Sequence, residues 1–550
     1  MSIHKPDWSK SSDILGTHHR WRHLAPALSV VLLALFATAG EAATITVNSL
    51  ADPGASGICV LRDAITAANT ETAVNGCAAG TGNDTIVFSV TGTITLTKGI
   101  LPTIEKTLTI QGPADNPPAI AVSGANEYEV MFLDFGATLN LGYLTIENGN
   151  VSDGVGGGVL NNGGTLTVIN STLSDNSAGD GGGGIYSAGK LSVTNSTFNS
   201  NNGSDSSGGG IYNYGTATVA KSTFDNNSAD YGGGIENVGT ASVNNSTFVG
   251  NTATEEYGGG IDNEGSALTV TNSTFYNNSG IGAGLSNLGV SVDVKGTIMA
   301  ANTGGNCNTL RGPITDEGFN LDDDGSCDFS SGTTTDSAIA LDPNGLRNNG
   351  GLTETVALES TSVAINQIPV ADCTDQSSPP VRLLTDQRGV IRPQFAACDI
   401  GAYEYDTARS LKTNVLNAIN ATTGLSSKNQ LTLKLAAASL YKALLLLTGD
   451  DGNSVKPVFG GVEFQSEAAA VQFLDSLTPW SQLSSNTLDI WLLNITIADR
   501  TLAVVAITNA GGNTYASQLV ADGNAATGAG YYLTAVKDYA EAWTIVQSYK

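Results

Sequence analysis

Glu236 and Asp262 stand one repeat apart in mid-chain, each directly after an isoleucine that follows three glycines. Aligning the glycine runs places them in one column: Leu160, Tyr186, Tyr212, Glu236, Asp262 and Ser286. If the isoleucines point into a core, strand alternation turns this column outward. Strands on neighbouring coils lie ~5 Å apart, and retaining glycosidases hold their carboxyls ~5–5.5 Å apart. Glu236 and Asp262 are therefore candidates for an acid and a nucleophile. Glu264 adds a third carboxylate, and Tyr186 and Tyr212 would stack on sugar rings. The plainer reading makes these acids solvated turn residues of an acidic protein.

A second acidic column precedes the glycine runs: Asp180, Asp205, Asp230 and Glu256. Oxygen-only ligands suit Ca²⁺, while the varying loop lengths favour plain solvated charge. Asp322-Asp323-Asp324-Gly325 is loosely like a calcium loop but lacks the remaining ligand spacing and the terminal Glu. No cofactor other than Ca²⁺ is expected. The only histidines are His4, His18, His19 and His23. They lie in a segment with a basic start, an apolar stretch at 24–39 and the small residues Gly40 and Ala42, read as a signal peptide over 1–42. The remaining chain has no histidine, which removes serine–histidine triads, histidine metal ligands and histidine bases. Between 150 and 302 the only basic residues are Lys190, Lys221 and Lys295. That scarcity argues against a lyase needing a basic proton acceptor. With 24 Lys plus Arg against 51 Asp plus Glu, a net charge of −27, no nucleic-acid partner is expected. No later transmembrane span is expected, since Lys434 and Lys442 interrupt the Leu/Ala-rich run at 431–447.

These side chains need a scaffold, and the repeat supplies it. Gly156-Gly157-Gly158-Val159 recurs with Ile185, Ile211, Ile235 and Ile261 after the glycines, and as Gly282-Ala283-Gly284-Leu285, at spacings of 26, 26, 24, 26 and 24 residues. A period of this size means a solenoid. Short alternating runs such as Leu166-Thr167-Val168 and Leu268-Thr269-Val270 read as strands, and no helix-period segment fits between them. About three strands per coil make a parallel β-helix. Stacked columns support it. One holds Asn161, Ser187, Asn213, Asn237, Asn263 and Asn287, and another Asn176, Asn201, Asn227, Asn251 and Asn278. A third, Leu173, Phe198, Phe224, Phe248, Phe275 and Ile298, is apolar and follows a threonine column. The glycine column Gly163, Gly189, Gly215, Gly239, Gly265 and Gly289 suggests a turn at positive φ. These columns are read as structural, and the Asn-Ser-Thr triplets as turns rather than glycosylation sites.

The chain of 550 residues divides into a signal peptide at 1–42, a cap and β-helix at 43–302, closing coils at 303–405 and a small α-helical domain at 406–550. An N-terminal capping helix is expected over 61–69. Tail helices are expected near 408–421, 430–447, 466–477, 488–506 and 530–548. Export makes six cysteines readable as disulfides. Proximity pairs Cys59 with Cys77, Cys307 with Cys327 and Cys373 with Cys398, one of 15 connectivities.

Cys59-Val60-Leu61-Arg62-Asp63-Ala64-Ile65 with Ala67-Ala68-Asn69 resembles the bacterial family named for its Cys-Ser-Leu-Arg-Glu-Ala signature, with Val60 and Asp63 departing from it. Asp386-Gln387-Arg388-Gly389 through Arg392-Pro393 to Cys398-Asp399-Ile400-Gly401-Ala402-Tyr403-Glu404 resembles the choice-of-anchor Q domain of bacterial surface proteins. The segments from Asn348 to Leu358 and at Ala364-Ile365-Asn366 match it as well. The Gly-Gly-Gly-Ile tetrads and Phe-x-x-Asn pairs are similar to repeats of chlamydial polymorphic outer membrane proteins, which are adhesins. The resemblance implies a right-handed parallel β-helix, secreted or at the bacterial cell surface, with Arg388 and Arg392 in structural ion pairs. It implies no reaction. The expected role is adhesin-like, glycan-binding or structural, with a polysaccharide or cell-surface glycan as partner. The alternative is a polysaccharide lyase or glycoside hydrolase working through the surface carboxylates.

Overall fold

The computed structural model describes residues 42–550, except 205, 310, 331–333, 335, 449–452, 456–459, 478–482 and 549–550. The expected signal peptide up to residue 41, Asp205 and Trp480 lie outside the described residues. The described chain belongs to one compact unit.

The chain winds as a parallel β-solenoid from Thr44–Val47 to Leu321–Asp322, with three faces of 11, 8 and 10 strands. Alternation decides what points inward. Ile185, Ile211, Ile235 and Ile261 stand opposite one another on successive rungs and are buried. Phe198, Phe224, Phe248 and Phe275 form a stack of nearly parallel rings with centroids 4.7, 4.7 and 4.6 Å apart. Burial of such rings drives the winding. Polar columns fix the register. The side-chain amides of Asn176, Asn201, Asn227, Asn251 and Asn278 each donate to the next asparagine at 2.9–3.0 Å, ending on Asn302. Asn213, Asn237, Asn263 and Asn287 form a second ladder at 2.7–2.9 Å. Each of these ladder amides thus keeps a partner.

The glycine column has a different cause from the one expected. Only Gly163 in it takes positive φ. At Gly215 and Gly239 an added Cβ would lie 1.9 and 2.0 Å from the carbonyl oxygen of the glycine one rung below. These glycines let backbones touch at a corner. The positive φ sits instead on the first glycine of each run, for example Gly208 at 67° and Gly258 at 70°.

Helix α1 (Leu61–Thr70) covers the open first rung with its buried face Leu61, Ala64, Ile65 and Ala68. The Cys59–Cys77 disulfide flanks it. Arg62 grips Asp52 at 2.7 Å and the carbonyls of Gly99 and Ile100 at 2.7 and 2.6 Å. Cys307–Cys327 and Cys373–Cys398 are the other bridges, so the proximity pairing holds throughout.

The stretch 303–405 is not simply closing coils. After Leu321–Asp322 the chain turns back along the outside of the solenoid through α2 (Asp336–Ile339) and an antiparallel pair, Leu341–Arg347 with Thr355–Leu358. The threonine column is what it lands on. Thr223 donates to the Glu354 carbonyl at 2.6 Å, Thr247 to the Gln387 side chain at 2.6 Å, and Ala402 N–H to Thr274 at 3.0 Å. A repeat pattern cannot announce this return, because the threonines read equally well as solvated.

The tail forms α3 (Ala408–Ala421), α4 (Ser427–Leu444), α5 (Gly460–Asp475), α6 (Ser485–Asn509), α7 (Thr514–Gly528) and α8 (Tyr532–Ser548). The sequence reading lacks α7, whose Gly523 and Asn524 weaken its helical signal. Gly523 is there because the Tyr539 ring fills the space a Cβ would need. Helix α6 has the length and hydropathy of a membrane span, and most of it is buried against α3, α7 and α8. Its Asn494 donates to the Gly389 carbonyl at 3.1 Å and accepts from Ile391 N–H at 3.2 Å, docking the bundle on the returning segment.

Candidate functional site

Strands Ile185–Ser187, Ile211–Asn213, Ile235–Asn237, Ile261–Asn263 and Leu285–Asn287 set the expected column in register: Tyr186, Tyr212, Glu236, Asp262, Ser286. Its tyrosine end gains a member. Tyr214, two residues beyond Tyr212, projects to the same side. Ring centroids lie 5.6 Å apart for Tyr186 and Tyr212, 5.7 Å for Tyr186 and Tyr214, and 4.8 Å for Tyr212 and Tyr214. The Tyr212 and Tyr214 hydroxyls share a 2.8 Å hydrogen bond. Tyr214 is 47% exposed and presents the cluster to solvent. Period-two alternation would have found it.

The acidic end departs from expectation. Glu236 and Asp262 are not solvated; they are 1% and 0% exposed. Each glycine run curls over the start of the strand that follows, so closely that a Cβ on Gly232 or Gly258 would meet the amide of Glu236 or Asp262 at 2.6 or 2.5 Å. The larger Tyr186 and Tyr212, behind the same kind of glycine run, stay partly exposed. No hydrogen-bond donor reaches any of the four carboxyl oxygens. The Ser286 hydroxyl and Asn263 amide approach Asp262 without completing a bond to it. Glu264 remains exposed, and one carboxylate oxygen from each of the three residues lies within 4.8 Å of the others.

Burial, then repulsion from Asp262 and Glu264, raises Glu236 far above the usual carboxylate range. Burial lifts Asp262 to about 7, offset in part by Ser286. Desolvation dominates both shifts. At 0–1% exposure neither carboxyl reaches a glycosidic bond in solvent.

Other expected ligands stay apart or are occupied. Among the described residues, no trio of metal-ligating side chains within 4.8 Å includes Asp180, Asp230 or Glu256. Asp230 accepts from the Thr254 hydroxyl at 2.5 Å. Asp322, Asp323 and Asp324 do cluster, but the chain fills their oxygens. They accept from Cys327 N–H at 2.9 Å, Ala301 N–H at 2.7 Å and Asn306 N–H at 2.9 Å respectively. Lys221 is taken up by the Thr385 hydroxyl at 2.6 Å. Arg388 is buried between Asp386 and Asp406 at 2.8 and 2.7 Å, with its guanidinium 3.5 Å from the Tyr403 ring centre. Arg392 pairs with Glu404 at 3.4 Å and donates to the Asp399 and Gly401 carbonyls. Both arginines are structural.

Two features escaped the sequence reading. Lys412 of α3 is buried with Glu463 and Glu467 of α5 and, at 3.3 Å, Asp499 of α6. The ammonium ion fills the centre that three carboxylates would otherwise offer a metal. Asp499 within an apolar helical run was the available signal. The other is a cleft of about 450 Å³ between the threonine face, the returning segment and α7. Thr197, Asn199, Thr223, Asp225, Asn348 and Glu354 line it. Burial, then Glu354, raises Asp225 to about 6. Crowding at the rim lifts Glu354 as well, although the residue is exposed.

No family model matches the chain, and no curated protein or solved structure matches it.

Proposed function

We propose that the chain is a secreted or cell-surface β-helix module that binds glycans along its tyrosine face. The observation that carries this reading is the trio Tyr186, Tyr212 and Tyr214, gathered on adjacent rungs with Tyr214 open to solvent. Aromatic rings with a polar tip suit ligands with apolar faces and many hydroxyls. The parallel solenoid and three disulfides fit a surface or secreted module in an oxidising environment. The likeness to bacterial surface and adhesin repeats supports the same location. The test is binding of the purified chain to a panel of polysaccharides. Tyr186→Ala, Tyr212→Ala and Tyr214→Ala should each weaken capture at least about tenfold, a loss of roughly 1.4 kcal/mol. Equal capture by all three variants would reject the tyrosine face.

A second reading, polysaccharide cleavage, draws support from the cleft rather than from Glu236 and Asp262. There an acid raised to about 6 faces a second carboxylate across open space. Release of reducing ends, abolished by Asp225→Asn and Glu354→Gln, would establish it. No release on the panel from folded protein would leave binding alone.

A further inference from the structure

The enclosed carboxyls of Glu236 and Asp262 raise a question that glycan binding does not answer. A buried charge needs a partner, yet both side chains lack any donor from the chain. Their strands are locked in register by flanking asparagines, so the carboxyls cannot separate without breaking the ladder. Glu264, two residues beyond Asp262, is exposed, and one of its carboxylate oxygens lies within 4.8 Å of theirs. Three carboxylates offer up to six oxygens and no nitrogen or sulfur.

We propose that Glu236, Asp262 and Glu264 form a Ca²⁺ site on the solenoid face beside the tyrosine cluster. Ca²⁺ accepts oxygen ligands at about 2.3–2.6 Å, so opposite ligands lie up to about 5 Å apart. Oxygens within 4.8 Å of one another fit around such an ion without moving the rungs. The strands supply two ligands from adjacent rungs and the turn supplies the third. Waters complete the usual six to eight. The Lys412 cluster shows the contrast: there a lysine occupies the centre of a buried carboxylate trio. Among the described residues no cation of the chain takes that place at Glu236.

The site stands independently of the glycan reading, and the probe is metal alone. Tyr212 and Tyr231 lie close enough to feel these carboxylates, so they should sensitise Tb³⁺ luminescence. Chelator-treated full chain is titrated with Tb³⁺ and then competed with Ca²⁺, alongside calorimetry with Ca²⁺. The expected result is one saturable site displaced by Ca²⁺, with the same stoichiometry by luminescence and by calorimetry. Asp262→Asn and Glu236→Gln should weaken binding at least tenfold. Glu264→Gln, a surface change that leaves the fold intact, should also weaken it. Asp180→Asn should bind like the parent. No saturable binding at millimolar Ca²⁺, or binding by Glu264→Gln and Asp262→Asn equal to the parent's, would overturn the proposal.

Discussion

Asp262 is held at a protonation state that its sequence neighbours do not explain. Its carboxyl rises from an ordinary 3.8 to about 7 chiefly because water is excluded, with repulsion from Glu264 adding to the rise. A carboxyl raised in the folded state contributes stability that is full below its unfolded value and lost as pH climbs through its folded value. The window is therefore about pH 4 to 7. Asp262→Asn removes the titration. Measured in chelator, the variant should gain on the parent across that window, by at most roughly 4 kcal/mol for a three-unit shift. Denaturant midpoints at pH 4 and 7.5 check this, and a gap that does not change with pH would refute it. The adjacency of Glu236 and Asp262 was legible in the sequence, since one column and one strand spacing give it. Their enclosure was not. It is a property of the packed rungs and not of the column, since Tyr186 and Tyr212 behind the same glycine runs stay partly exposed.

Among the elements, the rungs owe their corners to missing side chains. Ala at Gly239 would drive a methyl group into the Gly215 carbonyl, a backbone atom that cannot swing away. The stacked strands must then part, against the asparagine ladder beside them. Gly239→Ala should destabilise by about 1–3 kcal/mol as overpacking. Gly461 makes the opposite case: it lies in α5 with nothing near its Cβ position. Gly461→Ala should stabilise by up to about 1 kcal/mol through helix propensity. Thermal unfolding of the pair checks both, and equal effects would show that the corner can relax. The repeat made the solenoid readable, because period and alternation are local patterns. Helix α7 was unreadable for a related reason: Gly523 answers a ring 16 residues away in sequence, Tyr539, and not its own helix.

At the scale of the whole molecule, a short motif joins two architectures. Gln387 bridges Thr223 and Thr247 of the solenoid, while Gly389 and Ile391 bond Asn494 of the bundle. Arg388 lies between them, holding Asp386 and Asp406 in a place without water. Removing one partner of a buried ion network strands the others, at a cost of about 3–5 kcal/mol. Because the motif touches both parts, that cost falls on their connection. Trp491 and Trp543 lie in the bundle, and no tryptophan occurs from residue 43 to residue 479. Tryptophan fluorescence therefore follows the helices, while the β-sheet band of circular dichroism follows the solenoid. In the parent the two signals should melt together. In Arg388→Ala the fluorescence transition should move to lower temperature and separate from the sheet transition. The solenoid should persist, because its phenylalanine stack and asparagine ladders do not involve the motif. Coincident melting in the variant would mean that the bundle is held chiefly by contacts elsewhere, such as Asn116 against Gly528. The motif would then be a local clasp and not the joint of the molecule.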